Sequence, residues 1–350
     1  MGMDEKKKIT SRQKEILTHI IESHIATTLP VGSKTLAGRY GLNLSPASVR
    51  HEMGVLEEQG YLTHPHPSAG RVPTDKGYRF YVTEGVTEEP VPRELLDLMT
   101  RETAGRIENL ESLMGRVSRI LSAMAEEAVL LVSPKLQELY LKELSLVPLD
   151  PNRLLAVWCT TSGVVQNCLV EMGEPVTFEE VVRIRNLINE ELAGEPIASL
   201  EEELARRIRS RRDSLRRLYE QTLEIVQGSL PHWGIPRLFV EGSRYVLNQP
   251  EFQDLKKFQL LIAALEEKSS LTEFLMQQLQ EGKVHVAIGE KDLSKDIWDC
   301  SLVSAPYVWY GKQVGAVGVL GPRRMPYGRI MGLVHRMADE ISHALARWDS

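Results

Sequence analysis

The stretch from Leu44 to Val82 constrains this chain more than any other, because it reads as a sharply started helix followed directly by a Gly-containing β-hairpin. Ser45 can cap the helix and Pro46 fits its first position, where a missing N–H costs nothing. Val49, Met53 and Leu56 recur at helical spacing and turn inward, which leaves Ala47, Ser48, Arg50 and His51 on the outer face near the N-terminal end. Gly60 stops the helix. Tyr61 and Leu62 then begin an extended segment, and HPHPSAGRVPT supplies the Pro and Gly punctuation of a loop between two short strands.

Upstream, Thr10 and Gln13 form a capping-box pair, and Ile16, Leu17, Ile20, Ile21 and Ile25 give a first helix one broad apolar face. A shorter helix from Ser33 to Tyr40 follows; Gly41 ends it, and Leu42 to Leu44 make the tight turn into the third. Helix, helix, turn, helix and hairpin together predict a winged helix-turn-helix, whose third helix meets base edges with its N-terminal end. A helical subdomain with a merely solvated polar face fits the same pattern, since this geometry also occurs away from nucleic acid. The first 85 residues hold 11 Lys+Arg against 9 Asp+Glu, a net of +2, while the rest of the chain carries −8. The positive sign lies where phosphate contacts would be needed. The Lys6 to Lys8 run reads equally as a solvated tail or as a DNA-contacting arm.

Length and composition suit a protein of two or three domains, and the overall acidity fits a modular binder better than a protein that coats nucleic acid. No apolar run is long enough to span a bilayer and no signal-peptide core follows the charged start, so a cytoplasmic location and no membrane partner are expected. Cys159, Cys168 and Cys300 are scattered and read as reduced thiols.

VTEEPVPREL has the composition of a linker, which ends the first domain near Val86. Beyond it Ile107, Leu110, Met114, Val117, Leu121 and Met124 form a helical seam, open either to a partner helix or to its own domain. LKELSLVPL, RLLAVWCTT and VVQNCLVEM predict an antiparallel meander. A helical block, a strand at RLFVEGSRYVL, further helices, strands at KVHVAIG, SLVSAPYVWY and QVGAVGVLG, and a closing amphipathic helix complete the chain. Strands, helices and strands again imply an α+β multidomain protein whose sensor-like domain is split by an inserted module.

Nothing in the chain has the pattern of an active site: HExxH, a nucleophile elbow, a Walker lysine and CxxC are all missing from the sequence, and no enzyme activity is expected. No cofactor or metal is expected either. Gly311, Gly315, Gly318 and Gly321 lie within and after a strand-like run instead of opening a helix, which favours a close-packed or bulged strand over a phosphate loop. Asp292, Asp296 and Asp299 lack a cation-loop spacing, and His285 reads as a packed histidine. ARRIRSRRDSLRRLY carries seven Arg, but the glutamates before it and its stripe of Leu204, Ile208, Leu215 and Leu218 favour a solvated amphipathic helix or interface rim over an RNA or DNA site.

The string SPASVRHEMGVLEEQGYLTHPHPSAGRVPTDKGYRFYV resembles the signature of the HrcA family, bacterial heat-inducible transcription repressors; SRQKEIL, LLAVWCTTSGVVQN and GAVGVLGPRRMPYGRIMGLV extend the likeness over nearly the full length. The resemblance implies a winged-helix head (1–86), a linker and connecting helix (87–125), a GAF-like α/β sensor domain in two segments (126–176 and 248–350), and an inserted dimerising module (177–247). It implies a homodimer on double-stranded DNA at an inverted-repeat operator, CIRCE, upstream of chaperone operons, with the GroEL chaperonin keeping the repressor competent. A metabolite-responsive regulator with a ligand in the sensor domain is the competing reading. The recognition helix becomes Ser45 to Gln59 and the wing centres on His66 to Arg71. Arg50, with Ala47 and Ser48, is expected to read bases; Ser45 and Lys34 to touch phosphate; and Arg71 and His66 to hold the adjacent backbone or minor groove. His51, Ser68 and Lys76 complete the set of expected DNA-binding residues. His51 stands where the family often has Asn, and Pro67 where Thr is usual, so neither inherits a contact.

Overall fold

The computed structural model describes residues 9–39, 44–66, 69–104, 110–134, 139–210, 216–229, 236–277, 283–289 and 299–348. Helix α1 (Ser11–Thr27) starts on the expected capping box: Thr10 Oγ1 accepts from Gln13 N at 3.2 Å and Gln13 Oε1 accepts from Thr10 N at 3.0 Å. It buries Ile16, Leu17, Ile20 and Ile21 completely. Helices α2 (Ser33–Arg39) and α3 (Pro46–Glu58) pack on that face, with Val49, Met53 and Leu56 inward. Ser45 caps α3, and Gly60 follows it at φ +76°, a backbone angle that glycine adopts without strain.

Strands β1 (Leu62–Thr63) and β2 (Val72–Pro73) pair antiparallel, Leu62 with Pro73 and Thr63 with Val72. The second strand ends sooner than the sequence suggests. Thr74 accepts from Gly77 N and caps a helix, α4 (Asp75–Phe80), within what reads as hairpin. Val31 adds a bridge to Arg71, each N–H donating to the other carbonyl at 2.9 Å.

Segment 86–92 breaks regular structure as its prolines dictate, yet it is docked and not a loose tether. Glu89 N donates to Gly328 O at 3.0 Å, and a Cβ at Gly332 would stand 2.1 Å from Glu89 O. The groove that these glycines leave lies on the closing helix α13 (Tyr327–Trp348). Helices α5 (Arg93–Ala104) and α6 (Leu110–Ala125) also pack on α13, so the apolar seam serves its own domain; Ile107 lies outside the described residues.

The body is a five-stranded antiparallel sheet in the order β7-β3-β10-β9-β8, built from β3 (Ala128–Val132), β7 (Leu238–Glu241), β8 (His285–Ile288), β9 (Cys300–Trp309) and β10 (Lys312–Pro322). Both faces are covered, which is why its strands read as continuous apolar runs. Val129, Leu131, Val317 and Val319 face α6 and α13, while Leu130, Val132, Ala316 and Leu320 meet α10 (Ser243–Leu247), α11 (Leu255–Glu266) and α12 (Lys268–Gln277). The glycines of β10 are close-packed, as expected. A Cβ at Gly315 would lie 2.2 Å from the Tyr307 hydroxyl, which donates to Val132 O at 2.6 Å, and the register shifts between Gln313 and Gly315.

Strands β4 (Leu141–Asp150), β5 (Arg153–Thr160) and β6 (Val165–Glu171) form the expected meander as a sheet of their own. Strand pairing therefore divides 126–176: only β3 joins the five-stranded sheet, and β7, from the 177–247 segment, joins it too. Local periodicity identifies strands but not their distant partners. Helices α7 (Phe178–Glu191), α8 (Leu200–Ser210) and α9 (Arg216–Ser229) back the smaller sheet on the face of Leu144, Leu154, Trp158 and Val170. The other face leaves Val147, Leu149, Val165 and Leu169 between 47% and 58% exposed. Among the described residues, no helix is long and apolar enough to cross a membrane.

Candidate nucleic-acid interface

Helix α3 presents Ser45, Ala47, Ser48, Arg50 and His51 together, all exposed, at its N-terminal end. The order follows from the cap. Ser45 Oγ accepts from Ser48 N at 3.1 Å and lies 2.9 Å from Ser48 Oγ, which fixes the first turn and ties the Ser48 hydroxyl to it. With Val49 and Met53 buried, the helical period puts Ala47, Arg50 and His51 on the solvent side. Lys34 is exposed at the start of α2, and His66 is exposed in the hairpin loop, where its carbonyl accepts from Ala69 N. Ser68 and Pro67 lie outside the described residues, as do Lys6 to Lys8.

The cations divide into two groups. Lys14 pairs with Glu84, Arg12 with Glu52 at 4.0 Å and Arg71 with Glu57 at 2.7 Å; Arg79 donates to the Ile288 carbonyl. Lys76 donates to Gln59 O at 2.6 Å with its ammonium 4.1 Å from the centre of the Tyr61 ring. Among the described side chains of the first 85 residues, Lys34 and Arg50 are the cations left without such a partner. Arg71 and Lys76, expected to face DNA, are thus engaged inside the hairpin and its support. A charge already paired gains less from a phosphate, because the existing bond must be given up.

Glu57, at the end of α3, was not foreseen. Its carboxylate also meets His64 Nδ1, and although desolvation pushes its pKa up, the His64 hydrogen bond and the Arg71 charge hold it below the ordinary range. No sequence spacing announces this cluster, since Glu57 belongs to α3 while His64 and Arg71 stand at opposite ends of the hairpin loop.

The other candidates have structural roles. Asp299 pairs with Arg323 and Lys257, while Asp292 and Asp296 lie outside the described residues. Arg207 of α8 meets Glu191, Glu195 and Glu203 within 3.4–3.8 Å, so this part of the Arg-rich stretch stabilises its own module; residues 211–215 lie outside the described set. Cys300 is buried and desolvation pushes its thiol pKa far up, which makes it inert. Among the described residues, no three His, Cys, Asp or Glu side chains come together as a metal site.

Residues 111–331 match the family described as HrcA protein C terminal domain. A heat-inducible transcription repressor HrcA of Pelotomaculum thermopropionicum is 32% identical over 340 residues, 97% of this chain and 98% of that one. The chain belongs to the HrcA family. The HrcA repressor of Natranaerobius thermophilus is 35% identical over 95% of this chain and 96% of its own. A crystal structure of a hypothetical protein shares the fold, with a TM-score of 0.63 at 22% identity over 97% of this chain and 100% of that one. The HrcA members compared are repressors and not enzymes, and the chain is an α+β transcriptional regulator of that family.

Proposed function

We propose that this HrcA-family chain represses chaperone operons by binding an inverted-repeat operator of the CIRCE type as a homodimer. Helices α1 to α3 with the β1–β2 hairpin act as a winged helix-turn-helix head, the five-stranded sheet as a GAF-like domain, and β4 to β6 with α7 to α9 as the inserted dimerising module. The observation that carries the reading is the Ser45-capped start of α3, where Ala47, Ser48, Arg50 and His51 stand exposed and Arg50 has no partner among the described residues. In this reading Arg50, Ala47 and Ser48 reach base edges, Ser45 and Lys34 touch phosphate, and His51, His66 and Ser68 lie beside the duplex.

The exposed apolar face of the three-stranded sheet supports a dimer, since contiguous apolar surface of this kind marks protein contact. Two heads on one dimer call for a two-fold operator. GroEL enters through the family resemblance alone. Footprinting of the purified chain on chaperone-operon promoters, with and without GroEL, tests each part. Two protected half-sites, strengthened by GroEL, are expected. A single unrepeated half-site would overturn the dimer, and protection indifferent to GroEL would remove the chaperonin.

One observation favours a second reading, in which a small molecule in the sheet domain shifts the heads. A groove of about 870 Å³ lies between β7 and α12, bordered by Leu238, Val240, Lys268, Thr272 and Met276. Thermal-shift screening separates the two, because a potent stabilising metabolite belongs only to the ligand-driven regulator.

A further inference from the structure

The β1–β2 hairpin has only two residues in each strand, too little pairing to hold a wing at a fixed angle. Its position is set from outside. His64 immediately follows β1 and Arg71 immediately precedes β2, so they are the two feet of the loop. Both feet reach the same carboxylate: Glu57 Oε1 meets His64 Nδ1, and Glu57 Oε2 lies 2.7 Å from Arg71 Nη2. The foot at Arg71 is also pinned through its backbone to Val31, and Gly70 lies so close to that residue that a Cβ would stand 2.6 Å from the Val31 carbonyl.

Glu57 is an odd residue to find here if charge were all that mattered. It places a carboxylate at the end of the helix read as facing DNA, where it repels phosphate. It also occupies Arg71, a cation that would otherwise contribute to binding. A residue that costs electrostatic attraction on both counts is explained by what it holds in place.

We propose that Glu57 is a positioning residue for operator recognition: it clasps both feet of the wing to the reading helix, and Arg71 is the wing's tether and not a DNA contact. The inference rests on the DNA-binding reading above. Each group of the clasp is about a quarter to two fifths exposed, so the clasp adds little to global stability and acts on the angle between hairpin and helix.

The test is operator binding across a salt series for the full chain, Glu57→Gln, Arg71→Met and the double variant. If opening the clasp leaves about one molecule in ten with the wing in place, Glu57→Gln binds about tenfold more weakly, since apparent affinity falls with the competent fraction. Arg71→Met should lose a similar factor, the double variant no more than either alone, and the dependence of log affinity on log salt should keep the wild-type slope. Simple electrostatics gives the opposite sign, with Glu57→Gln binding as well or better. That result, or a slope about one unit shallower in Arg71→Met, would make Arg71 a phosphate contact and overturn the proposal. Amide exchange over residues 62–73 in the free protein reads the clasp without DNA. Faster exchange in Glu57→Gln is expected, and unchanged exchange overturns the clasp. Failure of the wild-type chain to prefer operator over scrambled DNA would instead sink the DNA-binding reading.

Discussion

Arg323, just after β10, forms an ion pair with Asp75, the first residue of α4, at 2.7 Å, and the same guanidinium holds Asp299 of the body. The pair marks a seam between the helical head and the sheet. Across it the Tyr78 and Tyr327 rings lie 6.2 Å apart and Arg79 donates to the Ile288 carbonyl; on the head side Tyr78 is held by His24, whose Nδ1 lies 2.7 Å from its hydroxyl. Because Thr74 caps α4 and directly follows β2, displacement at the end of β10 reaches the hairpin through only a few covalent links.

This seam predicts unequal effects from its polar and packed parts. Asp75 and Arg323 are each about a quarter exposed, so Asp75→Asn should cost under about 1 kcal/mol. Gly289 sits at φ +69°, and a Cβ there would lie 2.1 Å from Asp75 Oδ2. Gly289→Ala is therefore strained twice over and should cost about 1–3 kcal/mol. Denaturant unfolding of both variants checks the order, and an equal loss in the two would count against a packed seam.

The capped helix predicts different losses at Ser45, which serves the fold as well as the proposed phosphate contact, and at Arg50, which serves recognition alone. Ser45→Ala removes the acceptor of Ser48 N and should lower stability by about 1 kcal/mol, read as a lower unfolding midpoint. Arg50→Ala should leave the fold unchanged, since the side chain is exposed, and should weaken operator binding on the order of 1–3 kcal/mol. A gel-shift titration with unaltered operator preference would remove Arg50 from base reading.

The difference between these two residues and Glu57 shows what the sequence made legible. Thr10, Ser45, Pro46 and Gly60 act on their own neighbours along the chain, so the caps and limits of α1 and α3 were readable one residue at a time. Glu57, His64 and Arg71 meet only after the hairpin closes, and Asp75 and Arg323 meet across most of the chain. Such contacts leave no periodic trace. Most strands were legible by the same logic, but β3 was missed and the second half of RLFVEGSRYVL folds as α10; the pairing of β3 with β7 and β10 was not legible, because the meander and its helices intervene. Composition marked segment 86–92 as a linker but did not announce its docking on α13, since prolines report the lack of regular structure and say nothing of a partner.

The open face of the smaller sheet predicts the oligomeric state. Register aligns Val147 with Leu155 and Leu155 with Leu169, giving an apolar row across all three strands. Leu155→Glu with Leu169→Glu puts two charges into that row and should convert the proposed dimer to monomer in sedimentation equilibrium. The far-UV spectrum should stay native, since Leu169 is 47% exposed in the single chain. An undisturbed dimer would place the interface elsewhere.

Glu127 predicts a pH dependence whose sign is fixed by burial. It lies between α6 and β3, only 5% exposed, with its carboxyl against Gly321 and no hydrogen-bond partner for Oε2. Arg324 is the cation that acts on it, but that guanidinium is committed to Glu251 and Gln249. Desolvation dominates and lifts the Glu127 pKa to about 8, with Arg324 pulling it down and Glu251 pushing it up. The folded state therefore keeps a proton that the unfolded chain releases near 4.5. Between those values the folded state binds more protons, so stability from this group is full below the lower value, falls as pH rises, and levels off above about 8. The slope approaches about 1.4 kcal/mol per pH unit. Glu127→Gln cannot ionise, so subtracting its unfolding free energies from those of the wild type between pH 5 and pH 9, a range of about 4 units, isolates the effect. The variant should gain on the wild type steadily as pH rises, and parallel curves would show that Glu127 is already ionised in the folded chain.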